Sequence, residues 1–140
     1  MRKEGIEITP ESQKEFRENI RKQYGMAAVA VLLEEEITES VQTQDTVLDG
    51  LYSWDEYIFL KEKFPELKLI CTVCDKELRY ERINVRPDRP FNREEIIIRD
   101  TSEIENLAKG GPIAYADYYI FNNGNLKDYE ERLLEILEQI

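Results

Sequence analysis

The chain has 140 residues, 41% of them hydrophobic and 35% charged, and a formal net charge of -11. This is enough for one domain with its own core, and the composition is not that of a disordered chain. The acidic excess repels phosphate backbones and anionic lipid, so binding to nucleic acid or to a membrane surface is not expected.

In chain order, Thr9-Pro10-Glu11 opens a helix: a capping hydroxyl, a proline in the first turn, then an acid. Phe16, Ile20 and Tyr24 follow at a spacing of four, and Gly25 is the expected stop. Residues 26–33 are apolar all round. Periodicity does not separate helix from strand there, and the alanine and leucine content favours helix. Residues 46–49 read as a short buried strand ending in Asp49-Gly50. Ser53 caps a helix over 54–64, which Pro65 closes. Residues 67–73 form a second strand with little alternation, expected to be covered on both faces.

Asp75 is placed to cap a helix running to about Ile83. Residues 84–92 form a loop stiffened by Pro87 and Pro90. Asn92 caps a long helix to about Ala108, broken by Gly110-Gly111-Pro112. Residues 118–121 form a third strand, followed by an Asn122-Asn123-Gly124 turn. Asn125 caps a final amphipathic helix with Leu126, Tyr129, Leu133, Leu134, Leu137 and Ile140 on its buried side. No repeat, linker or low-complexity tract interrupts the chain. The alternation predicts one α/β domain over 1–140, with a parallel three-layer sheet and helices on both faces.

The chain has no histidine and two cysteines, Cys71 and Cys74. The absence of histidine removes the usual neutral-pH base and metal ligand. Cys-x-x-Cys suits redox or zinc chemistry, but a zinc site would have to take its other ligands from carboxylates. Packing is the favoured reading, with Cys71 in a buried strand and Cys74 near its end. No metal site is expected. The first residues lack the apolar run of a signal peptide, and residues 26–33 are too short to span a bilayer, so a cytoplasmic location is expected.

Three features are candidates for chemistry. Between Arg79 and Arg99 stand six arginines, four acids and no lysine, a window of net charge +2 in a chain of -11. Guanidinium groups grip phosphate oxygens in pairs, as lysine does not. A solvated helix face carrying ion pairs explains the same residues equally well. Asp49 ends a strand, where open α/β sheets bind ligands and where a magnesium ion can be held through water. An acid that only turns the chain is the favoured reading there. Asn122-Asn123-Gly124 reads first as a tight turn, and second as a loop whose backbone meets a base.

Taken in order, these pieces resemble a known family. Val47-Leu48-Asp49-Gly50-Leu51, the 67–73 strand, Arg79-x-x-Arg82, Arg86 and Arg89, Arg99-Asp100 and Ala116-Asp117-x-x-Ile120-x-Asn122-x-Gly124 are similar to P-loop nucleotide kinases. The nearest likeness is to small dephospho-CoA-kinase-like ATPases, and it covers nearly the whole chain. The resemblance implies a lid over 79–99. Arg79 and Arg82 would lie on the helix leading to it, Arg86 and Arg89 would neutralise the transferring phosphoryl group, and Arg99 would follow on the next helix. Asp49 would lie near magnesium and phosphates, and Asn122, Asn123 and Gly124 would border the adenine. Residues 10–33 would shape the acceptor site. ATP and magnesium are implied by the resemblance only.

The family pattern begins with a strand and Gly-x-x-Gly-x-Gly-Lys-Ser/Thr, whose amides and lysine hold the phosphates. No Gly-Lys-Ser or Gly-Lys-Thr occurs among these 140 residues. The expectation is therefore a truncated kinase-like domain, inactive alone and binding neither ATP nor magnesium tightly. The alternatives are a phosphate- or nucleotide-binding module, a protein-interaction module, or a subunit completed in trans. The missing strand is central in that family, so a homodimer or a partner supplying a strand is also expected.

Overall fold

The computed structural model describes residues 10–140, except the side chains of Pro10, Glu11, Gln13 and Lys14. The expected Thr9 cap lies outside the described residues. The chain divides into two compact units, Met1–Pro65 and Glu66–Ile140.

The first unit holds α1 (Pro10–Tyr24), α2 (Ala28–Val41) and α3 (Trp54–Lys63). Gly25 ends α1 in the left-handed region, at φ 77°, with its N–H donating to the Arg21 carbonyl at 2.9 Å. This is the glycine C-cap expected from the sequence. The 26–33 run is helical from Ala28 on, and α2 continues through Glu34–Glu36 to Val41. Ala28, Ala30 and Ile37 of α2 and Tyr57 and Leu60 of α3 are the buried apolar residues of this unit among the described residues. Small alanines let α2 pack closely against its neighbours. Lys63 of α3 reaches Glu34 of α2 at 2.8 Å.

At the start of α3, Ser53 and Glu56 form a reciprocal capping box. The Ser53 hydroxyl accepts from Glu56 N–H at 3.1 Å, and the Glu56 carboxylate accepts from Ser53 N–H at 3.1 Å. Both residues are buried, so the box also settles polar groups that would otherwise lack water.

The strand expected at 46–49 is not formed. Residues 45–50 have no regular structure, and Val47 is 87% exposed. A strand exists through its ladder, and no second strand occurs among the described residues of this unit. The apolar pair Val47-Leu48 beside Asp49-Gly50 therefore gives an irregular loop, with Gly50 at φ 91°.

The second unit runs β1 (Ile70–Val73), α4 (Lys76–Asn84), α5 (Arg93–Leu107), α6 (Gly110–Ala114), β2 (Tyr118–Phe121) and α7 (Leu126–Leu137). The expected three-stranded sheet is corrected to two strands. β1 and β2 pair in parallel, with Ile70 opposite Tyr118 and Val73 opposite Phe121. The molecule is thus α/β and mostly helical, with a small parallel sheet. β2 has the predicted limits. β1 is shorter than the expected 67–73 because the ladder starts only where β2 lies alongside.

Asp117 sets this register. Its N–H donates to the Leu69 carbonyl at 2.9 Å while its carboxylate accepts from Leu69 N–H at 2.8 Å. The second crossover helix, α5, starts at a full capping box between Asn92 and Glu95. It ends at Ala108, in the left-handed region at φ 49°. Gly110-Gly111-Pro112 does not simply break the chain: it forms the short α6, with Pro112 buried.

Tyr80, Ile96, Pro112 and Ile120 are the buried apolar residues of this unit, Ile120 at 1% exposure. The expectation for α7 needs correction too. Tyr129, Leu133 and Ile136 are half-buried on the side that meets β2, but Leu126, Leu134, Leu137 and Ile140 are exposed. The apolar arc of α7 is wider than the two-stranded sheet can cover.

Candidate functional site

Parallel strands deliver their carboxyl ends to one edge of a sheet, and ligands of open α/β folds bind there. In this protein that edge carries Cys74 and Asp75 after β1, and Asn122 to Asn125 after β2. The loop at 85–92 joins α4 to α5, and Asn84 Nδ2 closes its base by donating to the Phe91 carbonyl at 3.3 Å.

The structure brings Arg82, Asn122, Asn123 and Gly124 together. Arg82 lies in the last turn of α4. Its Nη1 donates to the Asn122 carbonyl at 2.5 Å and to Asn122 Oδ1 at 3.2 Å, and its Nη2 donates to the Gly124 carbonyl at 3.0 Å. The same Nη1 lies 3.8 Å from Cys74 Sγ. Asn123 Oδ1 accepts from Asp75 N–H at 2.9 Å, across the sheet edge. The Asn-Asn-Gly turn is therefore held by a fork of donors that fits its carbonyls.

Arg79 is committed as well. Its two terminal nitrogens grip the Asp100 carboxylate at 2.9 and 2.5 Å, and the Tyr80 hydroxyl donates to the same carboxylate at 3.0 Å. The Arg79 hydrogen bonds hold the Asp100 carboxyl below its ordinary value of 3.8, against the opposing effect of burial. Burial first, and then the Asp100 partner, push the Tyr80 hydroxyl up. Arg93 pairs with Glu77 at 2.7 and 2.9 Å, and both Arg79 and Arg93 lie over the Tyr80 ring. Arg99 Nε donates to Glu103 one turn on at 2.9 Å and covers Phe91. Burial pushes Glu103 up, but hydrogen bonds from Lys109 and Arg99 outweigh it and leave the carboxyl lowered.

Arg86 and Arg89 differ from these four. They stand exposed on the 85–92 loop and have no ion pair or side-chain hydrogen bond among the described residues. Arg89 is held at φ 52°, a conformation in which side chains other than glycine are strained. The six arginines thus divide into four that staple the fold and two that face water.

Asp49 belongs to the other unit. It is exposed and lacks a hydrogen-bonding or charged partner among the described residues. No group of three or more potential metal ligands occurs among the described residues. Cys71 is half-buried in β1, where burial raises its thiol, and Cys74 stands just past the strand; both are free. No described helix is long and apolar enough to cross a membrane.

Asp100, Glu103 and Asp117 are positioning residues to which the sequence assigned no role, although Asp100 and Asp117 stand within the motifs of the resemblance. Asp100 is 21 residues from Arg79 and Asp117 is 48 from Leu69, so no local spacing announces either pair.

No family model matches the chain. Curated relatives do. The chain is 32% identical over 143 residues to a UPF0200 protein of Thermococcus kodakarensis, covering 99% of this chain and 77% of the relative. A UPF0200 protein of Staphylothermus marinus is 33% identical over 135 residues, covering 95% and 69%. One from Thermoplasma acidophilum is 32% identical over 126 residues, covering 89% and 67%.

Proposed function

The chain belongs to the UPF0200 family, and from the arrangement of its own residues we propose that it is a dephospho-CoA-kinase-like domain that binds a nucleotide or another phosphorylated small molecule through Arg86 and Arg89. The observation that carries this is the division of the arginines. Four of the six are occupied by protein acceptors, while Arg86 and Arg89 are left free on a proline-stiffened loop. In a chain of net charge -11, two unpaired guanidinium groups on one short loop are a local exception suited to phosphate.

The turn at Asn122–Gly124 supports the same reading, because Arg82 fixes it at the carboxyl edge of the sheet. Backbone groups held there are preorganised to meet a base. Asp49 offers a single free carboxylate. That is too little for a magnesium site of its own. Phosphoryl transfer depends on positioning and on charge stabilisation. With no Gly-Lys-Ser/Thr loop within these residues, the domain binds ligand without appreciable turnover on its own.

The test is calorimetric titration of ATP, dephospho-CoA and pyrophosphate into the protein and into Arg86→Ala/Arg89→Ala. Binding to the parent and an affinity at least about tenfold weaker in the variant are expected, a loss of about 1.4 kcal/mol. Equal heats in the two proteins would sink the phosphate reading.

A second reading, completion by a partner chain, rests on a separate observation. Leu69 and Val73 direct their carbonyls to β2. Alternation along the strand then turns the polar backbone of Ile70 and Thr72 to the opposite edge of β1, where no strand pairs with them among the described residues. Two-stranded sheets are marginal alone. Light scattering at increasing concentration, with Thr72→Pro as the control that blocks the edge, tests this reading. A mass that stays monomeric in both proteins removes the homodimer.

A further inference from the structure

The outer face of α7 is an apolar surface that neither the fold nor the proposed phosphate site uses. Leu126 is 69% exposed, Leu134 60% and Leu137 50%, with Ile140 just beyond the helix at 56%. At 100° per residue, Leu126, Leu137 and Leu134 fall within one quarter of the helix circumference. They continue the arc whose other half, Tyr129, Leu133 and Ile136, rests against β2. An apolar stripe left in water on a regular helix marks an interaction surface.

Charge decides the occupant. Glu130 lies within the stripe, and Glu131 and Glu138 border it. Lys127 stands on the same border, 3.6 Å from Glu131, so the stripe and its border carry three acids against one base. Lipid-binding helices border their apolar face with lysine and arginine, so this acidic border opposes an anionic membrane. A second copy would bring a further net charge of -11 and place glutamates against glutamates. A cationic helix fits both halves of the surface, since its leucines would cover the stripe and its lysines would meet Glu130, Glu131 and Glu138.

We infer that the exposed face of α7 is a docking surface for a basic amphipathic helix of a partner protein. Leu134 and Leu137 are its apolar anchors, and Glu130 and Glu138 give it its preference for positive charge. The surface is separate from Arg86 and Arg89, and it stands whether or not they bind phosphate.

The probe is a fluorescent helical peptide of leucines and lysines at amphipathic spacing, titrated against the full chain at physiological salt and followed by anisotropy. Saturable binding is expected. Leu134→Asp/Leu137→Asp should weaken it by about tenfold or more, although the substitutions make the protein more acidic. A peptide with glutamine in place of lysine should bind several-fold more weakly, and Glu130→Gln/Glu138→Gln should narrow the difference between the two peptides. Both leucines are exposed, and an unchanged circular dichroism melt will verify that the aspartate variant is folded. Failure to bind would overturn the inference. So would equal or tighter binding by the aspartate variant, which would show plain attraction to an acidic protein. Self-association of the parent that the same variant abolishes would assign the face to a second copy instead, and would also overturn it.

Discussion

The guanidinium of Arg82 donates to the backbone carbonyl of Asn122 at 2.5 Å, across 40 residues of sequence. A second branch of the same side chain holds the Gly124 carbonyl. One arginine thus ties the end of α4 to the turn that follows β2, at the edge where an α/β protein presents its ligands. A turn stapled in this way keeps its backbone groups in place without a ligand.

Replacing Arg82 should therefore loosen this edge before anything else. Arg82→Ala removes charge-assisted bonds to carbonyls, and a loss of about 2 kcal/mol is expected. Arg82→Lys should recover little of it, because a single ammonium cannot span two carbonyls as a planar fork does. Urea denaturation gives the loss. Amide exchange at Asn123 to Asn125 should speed up more than exchange in the first unit.

Acid should weaken the second unit through Asp100 and Glu103. Both carboxyls lie below their ordinary values when folded. Their contribution is therefore fully present above the unfolded values, about 3.9 and 4.3, and is lost as pH falls through the lower folded values. Stability measured from pH 6 down to pH 2 should fall below about pH 4. Asp100→Asn should start lower at neutral pH and fall less steeply. An unchanged slope in that variant would mean that the Arg79 pair does not contribute to the acid response.

Arg89 offers a contrast between binding and stability. Its left-handed backbone favours glycine, so Arg89→Gly should be neutral or stabilising by up to about 1 kcal/mol. Arg89→Ala keeps the strain and should leave the melting temperature nearly unchanged. Both substitutions should weaken phosphate binding alike. A large stability loss in Arg89→Ala would show that the side chain is a structural staple after all.

The first unit depends on its capping box. Ser53 is fully buried, and its hydroxyl serves Glu56 N–H. Ser53→Ala should cost about 1–2 kcal/mol, since it removes a cap and leaves a buried donor unpaired. Ser53→Asp keeps an acceptor but adds a buried charge beside Glu56, and should be worse than alanine. Thermal unfolding of the three proteins gives the order directly.

The features readable in the chain are those set by near neighbours. Caps at Ser53, Asn92 and Asn125, the glycine stop at Gly25 and the limits of β2 follow from patterns a few residues long, because a cap bonds three residues away and a strand alternates every two. The same patterns misled wherever an element needs a distant partner. Val47 to Asp49 has strand composition but no strand to pair with, so it remains a loop. The leucines of α7 have the spacing of a buried face, yet only Leu133 among them is half-buried against the small sheet.

The arginines show the division most clearly. The sequence by itself determined that six guanidinium groups crowd one window of an acidic chain, and that this suits phosphate or a solvated face equally. Only the tertiary structure decided which arginine does which. Arg79 and Arg82 find their acceptors 21 and 40 residues away, at Asp100 and Asn122, and Arg93 finds Glu77 16 residues back on α4. Arg86 and Arg89 find none among the described residues. Periodicity can place a charge on a helix or a loop, but whether that charge is already satisfied depends on contacts that form only when distant segments fold together.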